Sequence, residues 1–229
     1  MMFLKKSFKK ELMDDFSLDD GRIDRALKEL RTINRFLGGN SVSKKGLEYL
    51  IKETKTEFRI LDVGGGGSDI LFDLKNKYEH LKIYPVDLNK HSCHYQKKER
   101  NNNKIICADA FKLPVREKSF DIVHASLFLH HFSDEEISRL IRSFLVTSSR
   151  GVIINDLRRN ILAFSGIKIL SMIFSKSEFV KNDGPLSVRR AFTKKEFVKI
   201  LSLTGVDNFI IKRMRSFRFL VIIPSSQND

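Results

Sequence analysis

The sequence predicts an α/β protein with a doubly wound sheet of seven strands, of which the last pair is antiparallel. Apolar runs typical of strands recur from "FRILDV" onward, and most are separated by stretches long enough for a helix. Strands that alternate with helices form parallel sheets with right-handed crossovers. The last two runs, "DNFIIKRM" and "FRFLVIIP", lie too close together for a parallel crossover and suit a hairpin.

The composition is that of one ordinary domain. The chain has 229 residues, 41% of them hydrophobic, which argues against a largely disordered protein. Its formal charge of +14 favours anionic partners, although such a charge also serves solubility alone. Two cysteines without a C-x-x-C spacing fit a reducing compartment, and we find no secretory signal or membrane-spanning run. We therefore expect a cytoplasmic protein.

The chain divides into a helical arm and a sheet domain. Residues 1–55 are predicted as an N-terminal helical arm that forms part of the substrate cover. Apolar spacing from Ile23 to Leu37 predicts a helix that "GGN" ends at Gly38, and a second short helix is predicted from Ser43 to Glu53. Residues 56–229 hold the five parallel strands, "FRILDV", "LKIYPVD", "KIICAD", "FDIVHAS" and "GVIIND", and the closing pair.

Two helices of the sheet domain have clear start signals. Ser133 with Glu136, and Thr193 with Glu196, form capping boxes in which a hydroxyl residue is followed three positions later by a glutamate. Gly205 is placed to end the second of these helices.

A strongly apolar segment, "ILAFSGIKILSMIF", spans Ile161 to Phe174 and is interrupted by Lys168. It is too short to cross a bilayer. It falls within a predicted cover insertion at about residues 158–192, between the fifth strand and the next helix. Two interpretations stay open at this point: an ordinary buried core helix, or a cover over a bound acceptor.

Four consecutive glycines follow the first strand in "ILDVGGGGSDI". Glycine loses more conformational freedom on folding than any other residue, so such a run indicates that a ligand approaches the backbone. The junction of a first strand with its helix is where α/β sheets bind cofactors. The dinucleotide pattern G-x-G-x-x-G fits Gly64 and Gly66, but its third position is Asp69, whose charge would repel a pyrophosphate.

The pattern acid-x-Gly-x-Gly is present as Asp62, Gly64 and Gly66. In this loop the sequence resembles the S-adenosylmethionine-dependent methyltransferases with a Rossmann-like fold. In that family the loop wraps the methionine part of the cofactor, a zwitterion with a sulfonium cation, so that nearby carboxylates favour binding. Ser68 replaces the third glycine of the usual family pattern. The resemblance implies methyltransferase activity with S-adenosyl-L-methionine as cofactor.

Further motifs follow in the family's order. "VDL" places Asp87 and Leu88 about 20 residues past the loop, where an acid binds ribose hydroxyls. In "CADAFKLP", Asp109 and Ala110 match the position that reads the adenine edge. "KSFDIVHASLFLHHF" matches the motif of the fourth strand, after which residues flank the sulfonium and the substrate. The resemblance covers roughly Phe58 to Pro224.

His130 and His131 are the candidate catalytic residues. They follow the fourth strand, over the expected cofactor position, and imidazole titrates near neutrality. One of them is expected to serve as the base if the acceptor must lose a proton; the alternative is that they cap the loop or pack on the cofactor.

The other polar candidates have weaker support. His91, Cys93 and His94 lie on one predicted helix without a second ligand pair, so we expect no metal site. Asp156, at the end of the fifth strand, is expected either to bind the acceptor or to neutralise the neighbouring arginines, and the second is favoured. Arg190, with its neighbour Arg189, is expected to pin the cover by salt bridges rather than to face a substrate carboxylate.

The resemblance also implies a kind of acceptor. "NDGPLSVRRAFTKKEF", "NDLRRN" and "INRFLGG" are similar to a bacterial subgroup of small-molecule methyltransferases with quinone-ring, polyketide or phenolic products. It implies methylation at oxygen or carbon of a small, apolar or aromatic acceptor.

Two alternatives to this interpretation follow from the sequence. The basic C-terminal third would suit an RNA methyltransferase, but no RNA-binding module or N/D-P-P-Y motif is present, and nucleic acid is not expected as a partner. A non-catalytic S-adenosylmethionine-binding protein stays an alternative. The sequence also leaves a homodimer open.

Overall fold

The computed structural model describes residues 5–15, 21–51, 57–67, 69–75, 78, 80–100, 104–215 and 217–225. The predicted helix end at Glu53 and the glycine replacement at Ser68 lie outside these residues.

The described strands form one seven-stranded sheet in the order β3-β2-β1-β4-β5-β7-β6. Parallel pairing joins β3, β2, β1, β4 and β5, whereas β7 is antiparallel to both β5 and β6. The predicted fold class is confirmed; β7 lies between β5 and β6 and runs against the rest of the sheet. The strands are β1 (Phe58–Val63), β2 (Leu81–Asp87), β3 (Ile106–Cys107), β4 (Phe120–Ser126), β5 (Ser148–Leu157), β6 (Ile210–Met214) and β7 (Arg218–Pro224).

Helices connect these strands. They are α1 (Gly21–Phe36), α2 (Gly39–Leu50), α3 (Asp69–Lys75), α4 (Lys90–Arg100), α5 (Asp134–Thr147), α6 (Ile161–Phe174), α7 (Glu178–Arg190) and α8 (Lys194–Thr204), with two 3₁₀ helices at Leu12–Asp14 and Leu129–His131. Both predicted capping boxes are formed, at the starts of α5 and α8. Gly205 adopts the left-handed conformation that ends α8.

Two predicted boundaries were wrong. α2 begins at Gly39 rather than Ser43, because Gly38 takes a left-handed conformation and reverses the chain within one residue. The glycine pair therefore ends α1 and starts α2. The third strand is only two residues long, since it pairs with β2 alone at the edge of the sheet.

The sheet is buried on both faces. Successive strand residues point to opposite sides, so that Ile153 packs with Val42 and Leu47 of α2, while its neighbours Val152 and Ile154 join the cluster around α5 and α8. Near-continuous apolar strands are typical of a parallel sheet covered by helices on both faces. This core fixes the carboxyl ends of the strands at one edge.

α7 packs against both α6 and the N-terminal segment 5–15. The main-chain N–H of Ser7 donates to Arg189 O at 3.0 Å, and the N–H groups of Leu12 and Met13 donate to the Asp183 carboxylate at 2.8 and 3.0 Å. α6 packs on α7 but is not a core helix, since Ser171 is its one buried residue. No helix in the described part of the chain combines the length and apolarity needed to span a membrane.

Candidate active site

The glycine loop turns sharply between β1 and α3. Gly64 and Gly66 have φ angles of +65° and +54°, in the left-handed region that favours glycine. A Cβ at Gly64 would lie 2.0 Å from the ring of Phe128, so no other residue fits there. The loop is tied down by its own main chain, because Gly64 N donates to Val86 O at 2.8 Å and Gly66 N donates to Asp87 Oδ2 at 3.1 Å.

Asp62 begins a buried polar network beneath this loop. Its Oδ1 lies 2.7 Å from Nδ1 of His124, and Nε2 of the same ring lies 2.8 Å from Ser43 Oγ. Ser43 Oγ also accepts from Asn155 Nδ2 at 2.9 Å. Because Asp62, His124 and Ser43 are all buried, these bonds fix the orientation of the Asp62 carboxylate.

The network continues to the N-terminal arm through Arg218. Its guanidinium donates to Asn155 Oδ1 at 3.2 Å and to Asn34 Oδ1 at 2.8 Å. Burial lowers the pKa of Arg218 to about 10, although Asp156 acts in the opposite direction. The arm is thus joined to the sheet by a polar chain that reaches Asp62.

Asp87 lies beside the glycine loop at the end of β2. One of its carboxylate oxygens accepts from Gly66 N, and the other accepts from Asn89 N at 2.8 Å. The pKa of Asp87 is raised to about 6, mainly by burial. The two N–H donors act to lower this pKa, and the negative charge of Asp62 acts to raise it. Asp87 is therefore a carboxylate held in a place where its negative charge is incompletely compensated.

One cavity of about 980 Å³ passes along the carboxyl edge of the sheet. It is large enough for two ligands of moderate size side by side. Every residue that the sequence singled out for the cofactor or for catalysis lines it: Asp62, Gly64, Gly66, Asp87, Leu88, Asp109, Ala110, His130 and His131. Asp109 shapes the turn after β3, since its Oδ1 accepts from Phe111 N at 2.9 Å.

His130 is held by Asp156. Nδ1 of His130 lies 2.7 Å from Asp156 Oδ1, and the other oxygen of Asp156 accepts from Leu129 N at 3.0 Å. Burial raises the pKa of Asp156, but His130 outweighs it, so that the pKa is lowered overall. The expectation that Asp156 neutralises the neighbouring arginines was wrong, because Arg159 pairs instead with Glu196.

Glu11 and Asp14 come to the histidines from the N-terminal segment. Nε2 of His130 lies 3.6 Å from Glu11 Oε1, and Nε2 of His131 lies 4.0 Å from Glu11 Oε2. Nδ1 of His131 lies 2.8 Å from Asp14 Oδ1. Burial raises the pKa of Glu11 to about 7, although His131 and Ser187 lower it. A carboxyl with a pKa near neutrality therefore faces both imidazoles within the cavity.

Arg190 locks this segment in place. Its guanidinium donates to His131 O at 2.7 Å, to Lys9 O at 3.0 Å and to Asp14 Oδ2 at 2.9 Å. The salt bridges expected of Arg190 are formed, and they join α7 to the segment 5–15 through Glu11 and Asp14. Its Nε also lies 3.9 Å from Glu11 Oε1 and so brings a positive charge to the cluster.

The cluster also has the composition of a metal site. Among the described residues, Glu11, His130 and His131 form the one group of potential ligands whose atoms all lie within 4.8 Å of one another. The candidates His91, Cys93 and His94 do not form such a group. We did not expect a metal site from the sequence, and this group could not be found from it, because Glu11 is distant from the two histidines in the chain.

Four polar side chains that line the cavity were missed from the sequence. His124 lies inside an apolar strand, and Arg218 begins one, so each is hidden among core residues. Glu11 and Asp14 lie in a short N-terminal segment without a motif. The single usable signal was the histidine in "FDIVHAS", since a buried polar side chain in a central strand needs a partner.

Substituting Gly64 tests the loop geometry. Gly64→Ala should lower the free energy of unfolding by about 2–4 kcal/mol, because it adds left-handed strain and overlaps the Phe128 ring. Gly166→Ala is the control: a Cβ there meets nothing within 4 Å, and alanine should be neutral or stabilise the helix. Urea unfolding of both variants measures the difference, and equal stabilities would contradict this loop geometry.

Known proteins share sequence similarity with this chain. A family model described as "Methyltransferase domain" matches residues 61–153. A demethylmenaquinone methyltransferase of Thermotoga maritima is 30% identical over 146 residues, which is 62% of this chain and 63% of that protein. The chain therefore matches less than two thirds of the length of this curated relative.

Solved structures share the fold. A SAM-dependent methyltransferase from Aquifex aeolicus matches with a TM-score of 0.62 at 16% identity, over 91% of this chain and 99% of that one. Human N-acetylserotonin methyltransferase, in complex with SAM, matches with a TM-score of 0.65 at 13% identity, over 96% of this chain and 63% of that one. The chain thus matches a methyltransferase domain model over residues 61–153 and is similar to S-adenosylmethionine-dependent methyltransferases, the family that its motifs resemble.

Proposed function

We propose that this protein transfers the methyl group of S-adenosyl-L-methionine to oxygen or carbon of a small, apolar acceptor with a quinol-like or phenolic ring. The observation that carries the proposal is the cavity of about 980 Å³ along the carboxyl edge of the sheet. The glycine loop and Asp87 lie along it, and so do Glu11, the two histidines and the apolar inner face of α6. A donor and an acceptor can therefore meet in one cavity.

The cofactor fits the sheet end of the cavity. Asp62, Gly64 and Gly66 take the methionine part, Asp87 with Leu88 takes the ribose, and Asp109 with Ala110 takes the adenine. The bare backbone at Gly64 and Gly66 permits close approach, and an incompletely compensated carboxylate at Asp87 accepts hydrogen bonds from a diol. When bound, this cofactor supplies a methyl carbon activated by a sulfonium cation.

The acceptor fits between α1 and α6. Leu27, Leu30 and Ile33 of α1 line one side of the cavity. Ala163, Ile167 and Leu170 of α6 line it as well. These apolar walls suit an apolar ring better than a sugar or a polynucleotide. The similarity to a demethylmenaquinone methyltransferase supports a quinol-like acceptor. Residues 1–55 and about 158–192 are proposed as the two halves of this cover.

The chemistry required of the protein is positioning and proton removal. Methyl transfer is an in-line displacement, so holding the acceptor against the methyl carbon supplies a large part of the rate. His131 is the proposed proton acceptor for a ring hydroxyl, with Asp14 at its Nδ1 and Glu11 facing its Nε2. His130 is held by Asp156, and its Nε2 also faces the Glu11 carboxylate. The cluster can thus hold a released proton.

We prefer a proton to a metal ion in this cluster. Arg190 already places a positive charge 3.9 Å from Glu11 Oε1, and a dication beside it would be repelled. A chelator should therefore leave turnover unchanged. Loss of turnover that a divalent cation restores would instead assign a metal to Glu11, His130 and His131.

The acceptor class is tested by turnover. The protein with S-adenosylmethionine should methylate members of a panel of quinols, phenols and polyketide-like rings, and should leave bulk tRNA unmodified. Liquid chromatography with mass detection measures both products. Activity on RNA alone would contradict the proposal, and binding without any turnover would support the non-catalytic alternative.

Cofactor affinity should depend on pH through Asp87. A ribose diol donates to the ionised carboxylate, while the pKa near 6 means that a proton competes for it. Affinity should be constant above that pKa and fall as pH falls through it, by up to about tenfold per pH unit. Equilibrium dialysis with labelled S-adenosylhomocysteine measures this.

Variants identify the titrating group. Asp87→Asn should bind weakly at every pH and lose the fall on acidification. Asp207→Asn, at an exposed carboxylate in the loop before β6, should keep both the affinity and the fall. A fall that persists in Asp87→Asn would remove Asp87 from this role.

The histidine cluster should control turnover rather than binding. His131→Ala should lower turnover by about 10²- to 10⁴-fold and leave cofactor affinity unchanged, because a proton acceptor acts only in the reaction. His94→Ala, at an exposed histidine of α4, is the control. Turnover that His131→Ala leaves intact would exclude His131 as the base.

Glu11 should set the pH profile. Its carboxyl must lose its proton before it can help to hold another, so turnover should rise as pH rises through about 7. Glu11→Gln should abolish or displace that rise, whereas Glu48→Gln, on the exposed side of α2, should preserve it. An identical rise in both variants would count against the Glu11 assignment.

A further inference from the structure

The outer face of α6 is apolar and uncovered. Leu162, Ile169 and Ile173 expose 67%, 57% and 67% of their surface, and Met172 exposes 63%. They recur at positions that share one side of a helix. We define this side as the α6 face, with the members Ile161, Leu162, Ser165, Lys168, Ile169, Met172 and Ile173.

A helix that is apolar on most sides is normally buried. The inner side of α6 does line the cavity, with Ala163, Ile167 and Leu170. The outer side has no such cover within the described chain. Adjacent exposed side chains of this size form a contiguous patch, which typically marks an interaction surface rather than ordinary solvent-exposed surface.

The charge around the α6 face is positive. Among residues 161–182, the exposed charged side chains are Lys168, Lys176 and Lys181 against Glu178. Lys168 lies on the face itself. A partner that covers this helix must therefore accept apolar side chains and supply negative charge next to them.

The α6 face adjoins the mouth of the cavity. Leu162 belongs to it and also lines the cavity. Phe8, which is 76% exposed, and the exposed Lys10 line the same cavity from the N-terminal segment. An apolar and basic rim therefore surrounds an entrance on the side where α6 is uncovered.

We propose that the α6 face, together with Phe8 and Lys10, docks on the surface of a bilayer that contains anionic lipids. At 14 residues, α6 is about 21 Å long, shorter than the hydrocarbon core, and so suits lying in the interface plane. Its lysines then meet anionic headgroups, and its apolar side chains enter the acyl boundary.

A lipid surface fits better than a second copy of the chain. A symmetric pair of α6 faces would bring Lys168 and Lys176 of both copies into one apolar contact, where like charges repel. A bilayer instead compensates these charges. It also places the cavity mouth against the phase in which an apolar acceptor dissolves.

Vesicle binding tests the docking surface, and it requires no turnover, so its outcome is independent of the proposed function. The full chain is sedimented with vesicles of phosphatidylcholine alone or mixed with phosphatidylglycerol. We expect binding to the mixed vesicles that weakens with added salt. Replacing Ile169 and Ile173 together by glutamate should weaken it by about tenfold or more.

A matched control distinguishes a role of the α6 face from a general effect of added negative charge. Val198→Glu with Leu203→Glu adds the same two charges to exposed apolar positions of α8 and should bind nearly as well as the unchanged chain. Circular dichroism checks that both double variants fold. Lys168→Glu should lower binding to mixed vesicles without changing the fold.

Three outcomes would overturn the proposal. The first is no binding to mixed vesicles, and the second is an equal loss of binding in both double variants. The third is self-association in analytical ultracentrifugation that the Ile169 and Ile173 substitutions abolish, because the α6 face would then be covered by a second copy.

Discussion

A parallel sheet brings the carboxyl ends of its strands to one edge, and in this protein three of those ends carry an aspartate. Asp62, Asp87 and Asp156 belong to β1, β2 and β5, and Asp62 and Asp156 are fully buried. A buried carboxylate is costly unless it is paired or hydrogen-bonded. The architecture around the cavity follows from how each of the three charges is compensated: by His124, by main-chain N–H groups and by His130.

Compensation is complete for Asp156 and incomplete for Asp87, as the opposite directions of their pKa shifts indicate. The interior of the cavity is thus acidic within a chain whose formal charge is +14. The field of these carboxylates favours binding of a cationic methyl donor and disfavours binding of a phosphate-bearing ligand. The basic residues lie largely on the outside, where they act on partners and surfaces rather than on the donor.

The sequence was sufficient where the structure depends on local pattern. The bounds of β1, β2 and β4 match the apolar runs because these strands are covered on both faces. The glycine bend was predicted because a ligand that approaches the backbone requires it, and Asp87 because an acid about 20 residues past such a loop binds ribose hydroxyls. Long-range pairs were not predictable: Asp62 and His124 are 62 positions apart, and Glu11 reaches Ser187 over 176. The apolarity of α6 was evident, but periodicity cannot tell what covers a helix that is apolar on most sides.

The central claim is that a bare bend of main chain, between buried acidic groups, binds a positively charged methyl donor. Isothermal titration calorimetry of S-adenosylmethionine into the intact protein at neutral pH tests it most directly. We expect saturable heat, with one donor bound per chain. Absence of heat with both the donor and S-adenosylhomocysteine, from a protein shown to be folded, would contradict it.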